Sequence, residues 1–99
     1  MVSVIEVTRF RLRDELSVDD FLVVNAKYQT EFVYQQVGIR RRTVAPGRDG
    51  EWLALTFWAS KSDVHRAERE AARSSVAQAF ESCVELSSRS VEYFKELPG

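Results

Sequence analysis

The chain has 99 residues, 44% hydrophobic and 29% charged, with 14 basic and 15 acidic side chains and a formal net charge of −1. That length fits one domain, residues 1–99, with one core, and near-neutrality removes the global field that would favour nucleic acid or an anionic membrane. One cysteine and one histidine argue against an internal disulfide or a self-contained metal site, no apolar run approaches the ~20 residues of a membrane helix, and no basic-then-apolar leader opens the chain, so a cytoplasmic protein without metal is expected.

Residues 2–13 (VSVIEVTRFRLR) alternate as a strand does. One face carries Val2, Val4, Glu6, Thr8, Phe10 and Leu12, the other Ser3, Ile5, Val7, Arg9, Arg11 and Arg13. Ser17 is placed to cap a first helix, with Asp19 and Asp20 in its first turn, where each carboxylate contributes ~0.3–1 kcal/mol against the helix dipole. Phe21, Val24, Tyr28 and Phe32 draw one apolar stripe, and Gly38 is positioned to stop the helix. Ile39 to Val44 reads as a second strand with Arg40 and Arg42 on one face and Ile39, Arg41 and Thr43 on the other. Its three arginines therefore form no single patch and are expected to be solvated or paired near an interface. Pro46-Gly47-Arg48-Asp49-Gly50 is a turn signal that leads, as a hairpin, into a third strand from Glu51 to Ala59. From Trp52 to Trp58 every position but Thr56 is apolar, the mark of a strand buried on both faces. A second helix begins near Ser60 or Ser62 and extends to about Leu86, with Ser74-Ser75 marking a kink and Val76, Ala79, Phe80, Cys83 and Val84 facing the sheet. A last strand, about Ser88 to Phe94, carries Val91, Tyr93 and Phe94.

The order is β-α-β-β-α-β, an α+β ferredoxin-like arrangement with a four-stranded antiparallel sheet and two helices on one face. The first and third strands put apolar residues on both faces, and an open apolar face is rarely tolerated by a soluble monomer. A homodimer joined through that bare face, closing an α+β barrel, is expected.

At this level the chain resembles the dimeric α+β barrel superfamily and, within it, the antibiotic biosynthesis monooxygenase-like domains. The resemblance covers nearly the whole chain and rests on Thr8-Arg9-Phe10-Arg11-Leu12, Ser17-Val18-Asp19-Asp20-Phe21-Leu22 and Gly38-Ile39-Arg40-Arg41-Arg42. Its most specific part is Asp49-Gly50-Glu51-Trp52-Leu53-Ala54-Leu55-Thr56-Phe57-Trp58-Ala59-Ser60. It implies a pocket for an apolar or aromatic metabolite and, as the leading activity, cofactor-independent oxygenation of polyketide-type aromatics. Proton-transfer cyclases or isomerases and non-catalytic homodimeric binding proteins are the alternatives. Haem-degrading members are similar in layout, but Thr8, Ala67 and Ala77 fall where the resemblance would place their Asn, Trp and haem-ligating His, and His65 lies about three turns too early. No cofactor is therefore expected.

Candidate residues each carry two readings. His65 titrates near neutrality and is a candidate acid or base, or an exposed residue of the first helical turn. Glu6, among apolar neighbours, is a candidate base if a cavity desolvates it, or a partner for Arg40 or Arg42. Trp52 and Trp58 share a strand face with Thr56 and offer a stacking wall for a flat substrate, or core packing. The resemblance adds electron transfer to oxygen for such a tryptophan. Thr8 shares the face of Glu6; Tyr28, Phe32 and Tyr93 line the space between helices and sheet, where Tyr28 or Tyr93 could donate to a phenol or quinone oxygen, or simply pack. Cys83 reads as an inert buried thiol.

Overall fold

Alternation at the start of the chain becomes the central strand of a sheet. In the computed structural model, which describes residues 3–98, β1 (Val4–Leu12) pairs antiparallel with β3 (Glu51–Trp58) on one side and with β4 (Val84–Lys95) on the other. β2 (Ile39–Pro46) completes the sheet next to β3, in the order β2-β3-β1-β4. This is the expected ferredoxin-like order, with the second helix divided in two. Val2, the first residue of the expected strand, and the final Gly99 lie outside the described residues.

Serines start each helix. Ser17 accepts the backbone N–H of Asp20 and opens α1 (Val18–Glu31). Ser60 accepts from the N–H of Asp63 and donates its hydroxyl to the same carboxylate, opening α2 (Lys61–Ala71). Ser74 accepts from Ala77 and opens α3 (Ser75–Glu81). Each such cap is worth about 1 kcal/mol. The expected kink at Ser74-Ser75 is thus a complete break, because the Ser74 cap opens a separate helix. Helical structure ends at Glu81 rather than near Leu86, and β4 starts at Val84 rather than Ser88. The discrepancy has a cause. Between the pairs Arg11–Glu85 and Arg9–Ser90 the ladder shifts register, and the Ser88 hydroxyl accepts the Arg11 backbone N–H. This irregular stretch of strand has no clean alternation to be read.

Gly38 does have a positive φ of 84°, but it does not end α1. The helix stops at Glu31, a tight turn of helix follows over Val33–Gln35, and Gly38 instead delivers the chain into β2. A Cβ there would run into the Asp63 side chain at the start of α2.

One face of the sheet is covered. Phe10, Phe21, Trp52, Ala54, Cys83 and Val84 form a buried cluster, with the Phe21 ring 4.9 Å from that of Trp52 and edge-on to Phe10 at 6.0 Å. Burying a Phe or Trp of this kind contributes roughly 1.5–3 kcal/mol. A second cluster joins Phe32, Val33 and Ala77, and a third joins Trp58, Val64 and Ala67. The opposite face bears Ile5, Val7, Leu53, Leu55 and Phe57, all half-buried, and the exposed Phe94. No helix among the described residues is long and apolar enough to cross a membrane.

Candidate functional site

Strand alternation sends Glu6, Thr8 and Phe10 of β1, and Trp52, Ala54, Thr56 and Trp58 of β3, toward the helices. Between them and the helices lies a cavity of ≈ 460 Å³, within the range of small-molecule sites. Its walls are Glu6 and Thr8 from β1, Thr56 and Trp58 from β3, Val91 and Tyr93 from β4, and Tyr28 and Phe32 from α1. Phe80 of α3 adds a further aromatic surface. Small side chains keep the space open: Ala54, Ala67 and Ala77 all border it. Ala67 and Ala77 are the two helical positions that differ from the haem-degrading layout.

Glu6 is the acid that the sheet contributes to this cavity, which Glu68 of α2 and Glu81 of α3 also border. Trp58 donates its indole Nε1–H to Glu6 Oε1 at 3.0 Å, and Oε2 makes no hydrogen bond to a described residue. Burial raises the Glu6 pKa above its ordinary 4.5. The Trp58 hydrogen bond lowers it, the charge of Glu68 raises it, and the charges of Arg42 and Lys61 lower it. Glu6 is therefore not the direct partner of an arginine. A partly desolvated carboxyl held by one oxygen, with the other free, is a stronger base than an exposed carboxylate.

Arg42 is the residue that the alternation argument misplaced. Expected to be solvated or paired near an interface, it is only 7% exposed and borders the cavity. The cause is a β-bulge. Ile39 pairs with Trp58 and Arg41 with Phe57, leaving Arg40 as the extra residue. Ile39 and Arg42, three apart, consequently face the same side, and Arg41 turns to the other. Arg42 Nη1 donates to Asn25 Oδ1 at 2.9 Å and Gln29 Oε1 at 3.0 Å, both on α1. Its guanidinium carbon lies 5.0 Å from the Tyr28 ring centroid and 5.3 Å from that of Phe80. The Tyr34 hydroxyl accepts the Arg42 backbone N–H at 2.9 Å. Among the described residues no carboxylate comes within ion-pair distance of Arg42. Burying an ion costs several kcal/mol, and cation–π contacts of about 0.5–2 kcal/mol offset only part of that. Burial accordingly pulls the Arg42 pKa below the usual guanidinium range. A signal for this was present in the sequence. Asn25 and Gln29, four apart, flank the apolar stripe of α1 and need a donor if that edge is buried.

Tyr28 stacks between Phe32 at 5.6 Å and Phe80 at 4.3 Å. Burial raises its pKa from 10.0 while the charge of Arg42 lowers it, so the phenol stays protonated and available as a donor. Tyr93 pairs in register with Glu6, and its ring carries the Lys61 ammonium 3.3 Å above it at the cavity margin. An Arg89–Glu81 ion pair joins β4 to α3 at the same margin. The structure thus brings together Glu6, Thr8, Tyr28, Phe32, Thr56, Trp58 and Tyr93. It leaves His65 and Trp52 out. His65 is exposed on α2 with Nδ1 3.5 Å from Glu68 Oε1, and Trp52 is packed against Phe21 in the core. Cys83 is buried beside that core, and desolvation raises its thiol pKa. Among the described residues no group of three or more His, Cys, Asp or Glu side chains is arranged to hold a metal ion.

No protein-family model and no curated protein matches the chain. Solved structures do. The chain is similar to a point mutant of SnoaB, a cofactor-independent oxygenase from Streptomyces nogalater, with 21% identity, a TM-score of 0.76, and coverage of 98% of this chain and 95% of that one. It is also similar to the ActVA-Orf6 monooxygenase of Streptomyces coelicolor, solved with nanaomycin D, at 14% identity, TM-score 0.74, covering 99% and 90%. A provisionally assigned antibiotic biosynthesis monooxygenase of Bordetella bronchiseptica matches at 11% identity and TM-score 0.79, covering 99% and 100%. The fold is the α+β fold of these antibiotic biosynthesis monooxygenase-like proteins.

Proposed function

We propose that the protein is a cytoplasmic, cofactor-independent monooxygenase that binds an apolar, aromatic metabolite of polyketide type in the cavity between sheet and helices. The observation that carries this reading is Glu6: a partly desolvated carboxyl, tied to Trp58 by one oxygen and open by the other, at the wall of an aromatic-lined cavity. Glu6 takes a proton from an acidic C–H or O–H of the bound aromatic. The resulting enolate or phenolate gives one electron to dioxygen, and the radical pair combines into a new C–O bond. For an anthrone, protonation of that peroxide and loss of water complete the change from CH₂ plus O₂ to C=O plus H₂O. Trp58 orients the base, Tyr28 donates to the developing oxyanion, and Tyr28, Phe32 and Phe80 enclose the rings. The test is oxygen uptake with 1,8-dihydroxyanthrone and with its 3-carboxy derivative. One O₂ is consumed per substrate, and Glu6→Gln slows the reaction about 100-fold or more, as removal of a general base does. Uptake no faster than in buffer overturns the oxygenase reading; conversion of a probe without oxygen uptake makes the proton-transfer cyclase or isomerase the answer.

The second element of the proposal is a homodimer through the bare sheet face. Ile5, Val7, Leu55 and Phe57 form an apolar centre there, with Arg41 on the β2 side and Glu92 on the β4 side, so a second copy is complementary in both charge and hydrophobicity. Light scattering at twice the 11.4 kDa chain mass is expected, falling to one chain mass in Phe57→Glu. A native mass of one chain overturns it.

A further inference from the structure

We infer that Arg42 is an anchor for a carboxylate on the aromatic ligand, so that the substrate class is an aromatic acid rather than a neutral polycycle. This rests on the reading of the cavity as an aromatic-metabolite site and adds the ligand's charge and its orientation.

Among the described residues the hydrogen-bond partners of the Arg42 guanidinium are neutral. The oxygens of Asn25 and Gln29 both accept from Nη1. The Nε and Nη2 donors make no hydrogen bond to a described residue. Among the described residues no side-chain nitrogen or oxygen is fully buried without a partner, so these two nitrogens keep some accessible surface, and Arg42 itself borders the cavity. Nε–H and Nη2–H lie on one edge of the planar guanidinium and point in parallel, the spacing that two carboxylate oxygens accept together. A lone phenol or quinone oxygen engages only one of them.

The rest of the surroundings hold that edge in place. Rings of Tyr28 and Phe80 lie against the guanidinium, two amides fix Nη1, and the Tyr34 hydroxyl holds the backbone. A cation held this firmly, with no carboxylate of a described residue in ion-pair contact, is a preorganised site for an anion. A carboxylate here neutralises it and places the attached rings beside Tyr28 and Phe80, in the same cavity as Glu6. Arg41 offers no such site, because its guanidinium lies over Phe57 on the other face.

Calorimetric titration with 2-naphthoate and its neutral near-isostere 2-naphthamide tests the assignment. The native protein is expected to bind the acid at least tenfold more tightly than the amide. In Arg42→Met that preference vanishes while amide binding persists. Arg42→Lys, which keeps the charge but loses the parallel donors, retains only part of it, and far-UV circular dichroism confirms that both variants are folded. Equal affinity of the native protein for the two probes overturns the carboxylate anchor and leaves the aromatic pocket standing, as does a preference that survives in a folded Arg42→Met. Failure of both probes to bind the native protein overturns the pocket and the anchor together.

Discussion

Arg41 and Arg42 are neighbours in sequence and both lie over aromatic rings, yet they occupy opposite faces of the sheet. Arg42 is buried among Tyr28, Phe80, Asn25 and Gln29, while Arg41 lies over Phe57 at 4.6 Å on the face without helices. The same pair of chemical groups has different consequences in the two places. Inside, desolvation makes the unmatched charge costly and therefore responsive to a ligand. On the other face the Arg41 side chain is exposed in the single chain, at the edge of the proposed dimer contact, and its contact with Phe57 is worth only about 0.5–1 kcal/mol. The sheet faces differ in kind as well. The inner one combines a tight cluster around Phe21 with a cavity floored by threonines and alanines, and the outer one is a smooth apolar surface edged with charge.

Substitution can test how far that difference extends. The largest effect is expected in the inner cluster: Phe21→Ala removes a fully buried ring and should cost about 3–5 kcal/mol in urea denaturation. A loss below about 1 kcal/mol, the scale of an ordinary surface substitution, would mean that the inner face is no more firmly packed than the outer. A smaller, pH-dependent effect is expected at Glu6. Its pKa is raised in the folded state, so above 4.5 the folded protein holds this proton more tightly than the unfolded chain does. Stability from this group therefore falls as pH rises from 4.5 through the raised value, and is unaffected below. Glu6→Gln should match the native protein in acid and become progressively more stable than it as pH rises, even as activity is lost. Parallel stability curves would show that Glu6 is not desolvated. The smallest effect belongs to the outer face: Arg41→Ala should cost no more than about 1 kcal/mol and leave binding of both naphthyl probes unchanged.

Much of the fold was legible because it is local. The Ser17 and Ser60 caps, the Trp52–Trp58 tract and the Phe21–Val24–Tyr28–Phe32 stripe each mark a period or a boundary, and each became part of the expected element. Strand parity grouped Glu6 with Thr8 and Thr56 with Trp58, but which sheet face meets the cavity is decided by the helices that cover it. What was not legible was every departure from regular counting. The bulge at Arg40 and the irregular ladder around Ser88 are set by pairing with a distant strand, and no residue type nearby demands them. Trp52 and Trp58 share a face, but only the packing of Phe21 against one end of β3 decides that Trp52 joins the core while Trp58 meets the cavity.

The bulge makes Arg40 a position where chain length matters more than residue identity. Its side chain is exposed, and most substitutions there should pass unnoticed. Deleting it is different. Ile39 packs against the buried clusters and Arg42 borders the cavity, and without the intervening extra residue they cannot face the same side together. Either the core surrenders its isoleucine to the outer face or the cavity loses its arginine from this strand. A region that looks like three interchangeable basic residues should therefore tolerate changes of residue type and resist changes of length.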